Sequence, residues 1–355
     1  MEEWAANARY CACGTTDGEL KVPHWGLKDT PRTVRALRTF ALEGRTMFDY
    51  SCSRRSFLGL AGSLAAVAGL GLAGCGGSDA PAAGSADAAA TVTGEVTYDG
   101  ASSFQALVEA AAEQFMNENP DCVISGSGNG SGAGLTAVSS GTVTIGNSDV
   151  FAETKLDADA AAKLVDHEVA VVGMGPVVSK NVTVDDLTLE QLKGIFSGTI
   201  TNWSEVGGED AKIVVLNRKA GSGTRATFES AVFGDEENTF KGDAELDKSG
   251  DVQTQIAATD NAISYLDFSH FDDSKFNAIK VGGVEPKSEN VYDNSFVIWA
   301  TEHMYCAKDA DDATVAFLEY MLSDDVQGSL VEEQGFIPVS EMKVTKDASG
   351  KVSTK

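Results

Sequence analysis

Positive charge is scarce in this sequence. Lys and Arg number 27 against 53 Asp and Glu in 355 residues, a formal net charge of −26. A nucleic-acid partner is excluded, because no basic surface would offset repulsion from its phosphates. Histidine is rarer still. His24, His167, His270 and His303 stand in no nucleophile or metal-ligand motif and read as core or surface residues. Paired carboxylates abound, but an acidic surface supplies them anyway. The chain is therefore not read as an enzyme, and no catalytic residue, metal or other cofactor is assigned. Proline is low at 7 beside 37 glycines, which suits an alternating α/β chain with many short turns.

A long hydrophobic run is also missing. The stretch from Phe57 to Ala73 has 17 residues and is broken by glycine. That is marginal for a hydrocarbon core about 30 Å thick, so a cleaved signal fits better than a membrane span. Cysteines are few, at positions 11, 13, 52, 75, 122 and 306. Cys11 and Cys13 have no matching pair and fall short of a zinc site. Cys122 and Cys306 are either a disulfide or two buried thiols.

What the N-terminal region does contain is an address. Ser53-Arg54-Arg55-Ser56-Phe57-Leu58 matches the twin-arginine export pattern S-R-R-x-F-L. Leu72-Ala73-Gly74-Cys75 matches the bacterial lipobox, in which the cysteine becomes the lipidated first residue of the mature chain. The two motifs flank the apolar run in the right order. Gly76 to Thr91 is rich in Gly, Ala, Ser and Asp and reads as a flexible tether. Residues 1–46 fit none of this, and Met47 is the better start. The reading is thus a doubtful leader over 1–46, a signal peptide over 47–74, and a lipidated Cys75 with its tether over 75–91. The expected location is the extracytoplasmic face of the cell membrane.

From Val92 onward strand and helix patterns alternate. Gly94–Tyr98, Cys122–Ser125, Ile145–Asp149 and Ile213–Leu216 read as strands, and Gln105–Asn117, Leu135–Ser139, Leu187–Phe196, Asp312–Leu322 and Asp325–Glu332 as helices. Thr188 and Gln191 have capping-box spacing. The apolar run His167–Val178 contains Pro176, which argues against a helix and for an extended crossing between domains. Phe296–Ala300 is the expected return crossing.

Three loops, each between a strand and a helix, carry the chemistry. They are Gly100-Ala101-Ser102-Ser103-Phe104, Gly128–Gly134, and Asn217–Arg225. Glycines let backbone approach a ligand, helix N-termini offer free N–H groups, and Ser and Thr add small donors. Arg218 adds a fork suited to an oxyanion edge. None is a Walker loop, and the second fits G-x-G-x-x-G only with relaxed spacing, so a dinucleotide reading is discarded. Each loop alone could be a plain glycine-rich turn capping a helix. Asp149 could be an N-cap. Facing an anion it would instead demand a proton on the ligand, because an ionised carboxylate only accepts hydrogen bonds. Such a group favours protonated phosphate over sulfate. The chain beyond residue 74 has 18 basic against 46 acidic residues. An anion site must therefore make its own local positive field from backbone N–H groups and one or two cations.

Several of these segments resemble the PstS-type phosphate-binding proteins of bacterial ABC importers. Gly146-Asn147-Ser148-Asp149 is similar to the family's G-x-S-D, and Ile195–Trp203 to its I-F-x-G-x-I-x-N-W. Arg218 with Gly221-Ser222-Gly223-Thr224 is similar to R-x-x-G-S-G-T. Ala262-Ile263-Ser264-Tyr265 and Gly335-Phe336-Ile337-Pro338 are similar to A-I-G-Y and G-[FY]-x-P. The resemblance implies an α/β, two-lobed periplasmic-binding-protein fold of type II, with mixed sheets flanked by helices and two crossing strands as hinge. Lobe I would take 92–175 and 297–345, lobe II 176–296, with a C-terminal tail over 346–355. It implies a monomer that binds inorganic phosphate and delivers it to the transmembrane subunits of an ABC permease. Ser103, Phe104, Ser131 and Asp149 would bind from one lobe, and Arg218, Ser222, Gly223 and Thr224 from the other. Whether Ser102 or Ser103 faces the ligand is open. Where some members have an Asp two residues after the arginine, able to orient it, this chain has Ala220. Arg225 reads as a helix-surface residue. The alternatives are a receptor for another tetrahedral oxyanion, or a surface phosphate sensor or adhesin on the same fold.

The address has a direct check. Protein recovered from the producing cell's membrane should begin at Cys75 and carry acyl chains by mass spectrometry. An N-terminus within residues 1–46 would contradict this.

Overall fold

The computed structural model describes residues 91–355. The export signal, Cys75 and nearly all of the tether lie outside the described residues. The polypeptide enters through β1 (Gly94–Gly100), α1 (Gln105–Glu118), β2 (Cys122–Ser127), α2 (Ser131–Ser139), β3 (Ile145–Ser148) and a short α3 (Ala158–Ala161). Then comes β4 (Leu164–Ser179), at 16 residues long enough to serve both halves of the molecule. It is followed by β5 (Asp186–Leu187), α4 (Leu189–Phe196), β6 (Val214–Arg218), α5 (Gly223–Phe233), β7 (Ala244–Leu246), α6 (Ser249–Ala258), β8 (Ala262–Asp267), β9 (Phe276–Ala278), β10 (Lys280–Val281) and α7 (Ser288–Val291). The chain returns through β11 (Trp299–Ala307) and α8 (Asp312–Met321) and ends in the hairpin β12 (Val344–Lys346) and β13 (Val352–Thr354).

The main sheet has the order β2-β1-β3-β11-β4-β8-β6-β7, with β9 also on β4. β1 runs parallel to β2 and β3, and β6 parallel to β7 and β8. β4 is antiparallel to β11 as far as Gly173, and to β8 and β9 from Met174 onward. One strand thus belongs to two lobes, as the sequence led us to expect of the run from His167 to Val178. Pro176 fits because β11 pairing stops at Gly173 and β9 pairing starts at Val177, so its missing N–H falls where the partner changes. Every β4 residue from Val169 to Ser179 is buried, which explains an apolar run without alternation.

The helices form for local reasons. α1 buries Leu107, Val108, Ala111, Ala112 and Phe115, a 3.6-residue stripe. α4 starts in the expected capping box of Thr188 and Gln191. The Ile195–Trp203 stretch has a structural role: Asn202 caps the following turn, and Trp203 is buried with its indole N–H donating to Asn261 O at 3.0 Å. Two expectations shift. The return strand begins only at Trp299, because Phe296 N–H is still engaged by Asn290 O at 2.6 Å. The helix expected over Asp325–Glu332 is a wide π turn over Val326–Leu330 followed by one α turn.

Cys122 and Cys306 are both free and buried. They sit on β2 and β11, three strand spacings apart in the sheet order, roughly 14 Å at the usual spacing. That is too far for a bridge, so the second reading, two buried thiols, holds.

Candidate functional site

β1, β3, β6 and β8 end at Gly100, Ser148, Arg218 and Asp267, and their C-terminal ends meet between the lobes. Four helix N-termini come together there, those of α1, α2, α5 and α6, which follow β1, β2, β6 and β7. α2 approaches the sheet because Gly134 has no side chain: a Cβ there would lie 2.5 Å from Asp99 O. α5 approaches α2 for the same reason. A Cβ on Gly223 would strike Ser131 Oγ and come within 2.9 Å of the Asp149 side chain. Across the same gap, Gly132 N–H donates to Gly221 O at 3.0 Å.

Asp149 is the centre of this cluster and is 3% exposed. It is not an N-cap; Phe151 precedes the short turn that follows it. Ser103 Oγ donates to Asp149 Oδ1 at 2.7 Å and Thr224 Oγ1 to Oδ2 at 3.0 Å. Ser131 Oγ lies 3.5 Å from Oδ1 and accepts the Asp149 N–H at 3.1 Å. One carboxylate therefore takes hydroxyl donors from the α1 and α2 side and from α5. Burial pushes the Asp149 carboxyl above its ordinary range. The Ser103 hydrogen bond opposes this, Asp267 nearby adds to it, and Thr224 and Arg218 pull it back.

Arg218 ends β6 and is 1% exposed. Its guanidinium donates to Asp247 O at 2.8 Å, Ser249 Oγ at 3.2 Å and Ser102 Oγ at 3.3 Å, while Nε has no partner. Ala220 is exposed and takes no part. The orienting role that the sequence reading sought two residues past the arginine falls to the Asp247–Ser249 turn. Arg225 corrects the surface reading: its side chain is 11% exposed and pairs with Glu229 at 2.9 Å and Glu245 at 3.2 Å. It also donates to Arg218 O at 2.6 Å, so it braces the loop from behind.

The structure brings all eight expected ligand residues to this place. Phe104 is fully buried, packed edge-on against Phe336, so only its backbone, at the start of α1, is available to a ligand. Ser222 Oγ accepts the Arg225 N–H at 3.2 Å, which leaves its own O–H free to donate. Both serines of the first loop face inward, Ser103 to Asp149 and Ser102 to Arg218.

Sequence reasoning missed the outer ring. Ser249 N–H donates to Ser102 Oγ at 3.3 Å, and Ser249 Oγ to Asp267 Oδ2 at 3.3 Å. Asp267 Oδ1 is 2.6 Å from His270 Nδ1. His270 is thus no bystander. Burial works to raise the Asp267 carboxyl, but the charge and hydrogen bond of His270 override it and hold Asp267 below its ordinary range. Burial works to lower His270, and Asp267 overrides that and raises it. Glu302, on β11, is fully buried with neither carboxylate oxygen partnered. The available signals were an acid at the end of Ala262–Leu266 and a lone Glu inside the apolar run Phe296–Ala307.

The cluster itself is packed shut. A cavity of about 390 Å³ lies to one side of it, touching Asp149 but not Arg218, under the β12–β13 hairpin. Among the described residues no group of His, Cys, Asp and Glu could hold a metal ion. The arrangement can do one thing well: surround a small oxyanion with hydroxyls, helix N-termini and one guanidinium, beside a carboxylate that accepts a proton.

The chain is similar to known proteins to different degrees. A PBP superfamily domain matches residues 85–325. The phosphate-binding protein PstS of Bacillus subtilis is 49% identical over 261 residues, 74% of this chain and 86% of that protein. A putative phosphate ABC transporter substrate-binding protein from Clostridium perfringens, solved with bound phosphate, superposes with TM-score 0.65 at 34% identity, over 69% of this chain and 100% of its own. An ABC-type phosphate transport receptor from Vibrio cholerae gives TM-score 0.57 at 27% identity, over 68% and 99%.

The Asp267–His270 pair makes a pH prediction. A raised histidine contributes stability that is complete below its unfolded pKa and lost as pH rises through its folded one; a depressed carboxyl contributes above its unfolded pKa. The contribution is therefore fullest between about pH 4 and 6.5 and declines above. In urea unfolding, the stability advantage over His270→Asn should be larger at pH 6 than at pH 9. An equal advantage at both would contradict the pairing.

Proposed function

This chain belongs to the PstS-type phosphate-binding proteins of the periplasmic-binding-protein superfamily, and we propose that it captures inorganic phosphate between its lobes for an ABC permease. It is a binding protein of a phosphate importer and not an enzyme, as its close relatives are substrate-binding proteins. Its place is extracytoplasmic. Among the described residues no helix is long and apolar enough to cross a membrane. Attachment through lipid on Cys75 after twin-arginine export is part of the proposal, supported by the two motifs around the apolar run. So are the monomeric state and the division into 92–175 with 297–345 as one lobe and 176–296 as the other.

The observation that carries the ligand assignment is the Asp149 carboxylate held by Ser103 and Thr224 beside Arg218. In the proposed complex Arg218 and the hydroxyls of Ser103, Ser131, Ser222 and Thr224 hold phosphate oxygens. The N–H groups of Phe104 and Gly223 add backbone donors at the starts of α1 and α5. Asp149 accepts the ligand's proton. Sulfate has no proton to offer at neutral pH and would set an anion against a buried carboxylate. Delivery then requires only that the lobes part at the permease, which frees a ligand held by many contacts from both sides. Binding by contacts split between lobes also explains how release can follow separation without chemistry.

Calorimetry of residues 92–355 with phosphate and with sulfate tests the reading. Phosphate should bind tightly and sulfate weakly, and Arg218→Ala should cost phosphate at least about 2 kcal/mol, as for a buried charge-assisted contact. Equal affinities for the two anions, or an unaffected Arg218→Ala protein, would refute it.

A further inference from the structure

Arg218 is a buried cation whose direct partners are all neutral. Its terminal nitrogens donate to a backbone carbonyl, Asp247 O, and to the hydroxyls of Ser249 and Ser102. A buried charge is costly unless an opposite charge compensates it. Burial pulls the guanidinium below its ordinary range, and Tyr265, Asp149, Asp267 and Asp251 oppose that pull. Two of these three carboxylates have other work. Asp251 is exposed and caps α6. Asp149 is held by Ser103 and Thr224 and faces the ligand in the proposed complex. Asp267 is fully buried at the end of β8. β8 runs parallel beside β6, with Ile263 level with Val215, so Arg218 and Asp267 end neighbouring strands.

One hydroxyl links the two. Arg218 Nη1 donates to Ser249 Oγ at 3.2 Å, and Ser249 Oγ donates to Asp267 Oδ2 at 3.3 Å. The direction is fixed by chemistry. A guanidinium only donates, so Ser249 must accept from it and give its own proton to another acceptor. Ser102 Oγ, 3.4 Å away, already accepts from Arg218 and from the Ser249 N–H. The carboxylate is left as the acceptor, and it stops the Ser249 hydroxyl from turning. Asp267 is itself fixed from behind: the Ser269 hydroxyl and His270 Nδ1 both meet its other oxygen, Oδ1. Ser249 also sets the second hydroxyl of the fork, through its N–H on Ser102 at 3.3 Å. The third partner, Asp247 O, belongs to the same turn. All three contacts of Arg218 thus meet at one turn, and Asp267 anchors it.

We propose that Asp267 is the positioning residue and buried counter-charge of Arg218, acting through the Ser249 hydroxyl, so that the arginine fork is set before phosphate arrives. The inference rests on the phosphate reading. Asp267 itself touches no ligand, because Ser249, Ser269 and His270 occupy its oxygens. The acid that position 220 does not supply comes instead from another strand. Held this way, Arg218 keeps Nε, which has no protein partner, for an edge of the anion. A fork already in place loses less freedom on binding, which raises affinity without a new contact.

A double-mutant cycle tests the link, with phosphate affinity measured by calorimetry for the unaltered protein, Asp267→Asn, Arg218→Ala and the pair. Asparagine keeps the shape but cannot accept from Ser249, Ser269 and His270 together. Asp267→Asn should weaken phosphate binding at least about tenfold. In the Arg218→Ala background the same change should cost no more than about twofold, because its target is gone. Ser249→Ala leaves the acid with Ser269 and His270 and breaks only the link, so it gives a second reading if Asp267→Asn folds poorly. Its loss should likewise vanish without Arg218. A direct readout is nitrogen NMR of the Arg218 side chain, where exchange of the two Nη groups by rotation should be faster in both single variants. Equal losses with and without Arg218, no loss in either variant, or unchanged Nη exchange would overturn the inference. Failure of the unaltered protein to bind phosphate would instead defeat the proposed function.

Discussion

A single buried carboxylate, Asp149, organises the cleft. It takes hydroxyl donors from the α1–α2 side and from the start of α5, so it links elements that the rest of the sheet keeps apart. Burying a charge is costly unless it is paired and hydrogen-bonded. The surrounding architecture answers that requirement. Strand ends deliver the loops, Gly134 and Gly223 let two helices approach, and Arg218 supplies a cation nearby.

The same requirement explains how so acidic a chain can hold an anion. Surface charge acts through water and salt and is screened within about 8 Å at physiological ionic strength. Inside the closed cleft the relevant charges are local: Arg218, four helix N-termini, and His270 behind Asp267. Arg225 and Asp247 support that field without touching the ligand position. They hold the Arg218 backbone and guanidinium respectively.

Much of this was legible in the sequence because it is written in short local patterns. Gly-Ser-Gly-Thr after a strand, a capping box at Thr188, and an apolar run with Pro176 each constrain a few consecutive residues. All the expected ligand residues converge for that reason. The outer ring was not legible, because its members are joined through space and not along the chain. Ser249 and Ser102 are 147 residues apart, and His270 gains its role only from Asp267 packed beneath Arg218 and Ser249. Arg225 was misread for a related reason. Its spacing fits an exposed helix face, but Glu245 arrives from β7 to cover it. Glu302 is a charge inside an apolar strand, but nothing local says which face it occupies.

The central claim is that a charged Asp149 selects the protonated anion. The direct test is the ratio of phosphate to sulfate affinity in Asp149→Asn, measured by calorimetry at neutral pH. Asparagine keeps the shape, removes the charge and can donate to an unprotonated oxygen. The account predicts that the ratio collapses toward one, largely by a gain in sulfate binding. A variant that still prefers phosphate as strongly as the unaltered protein would contradict it.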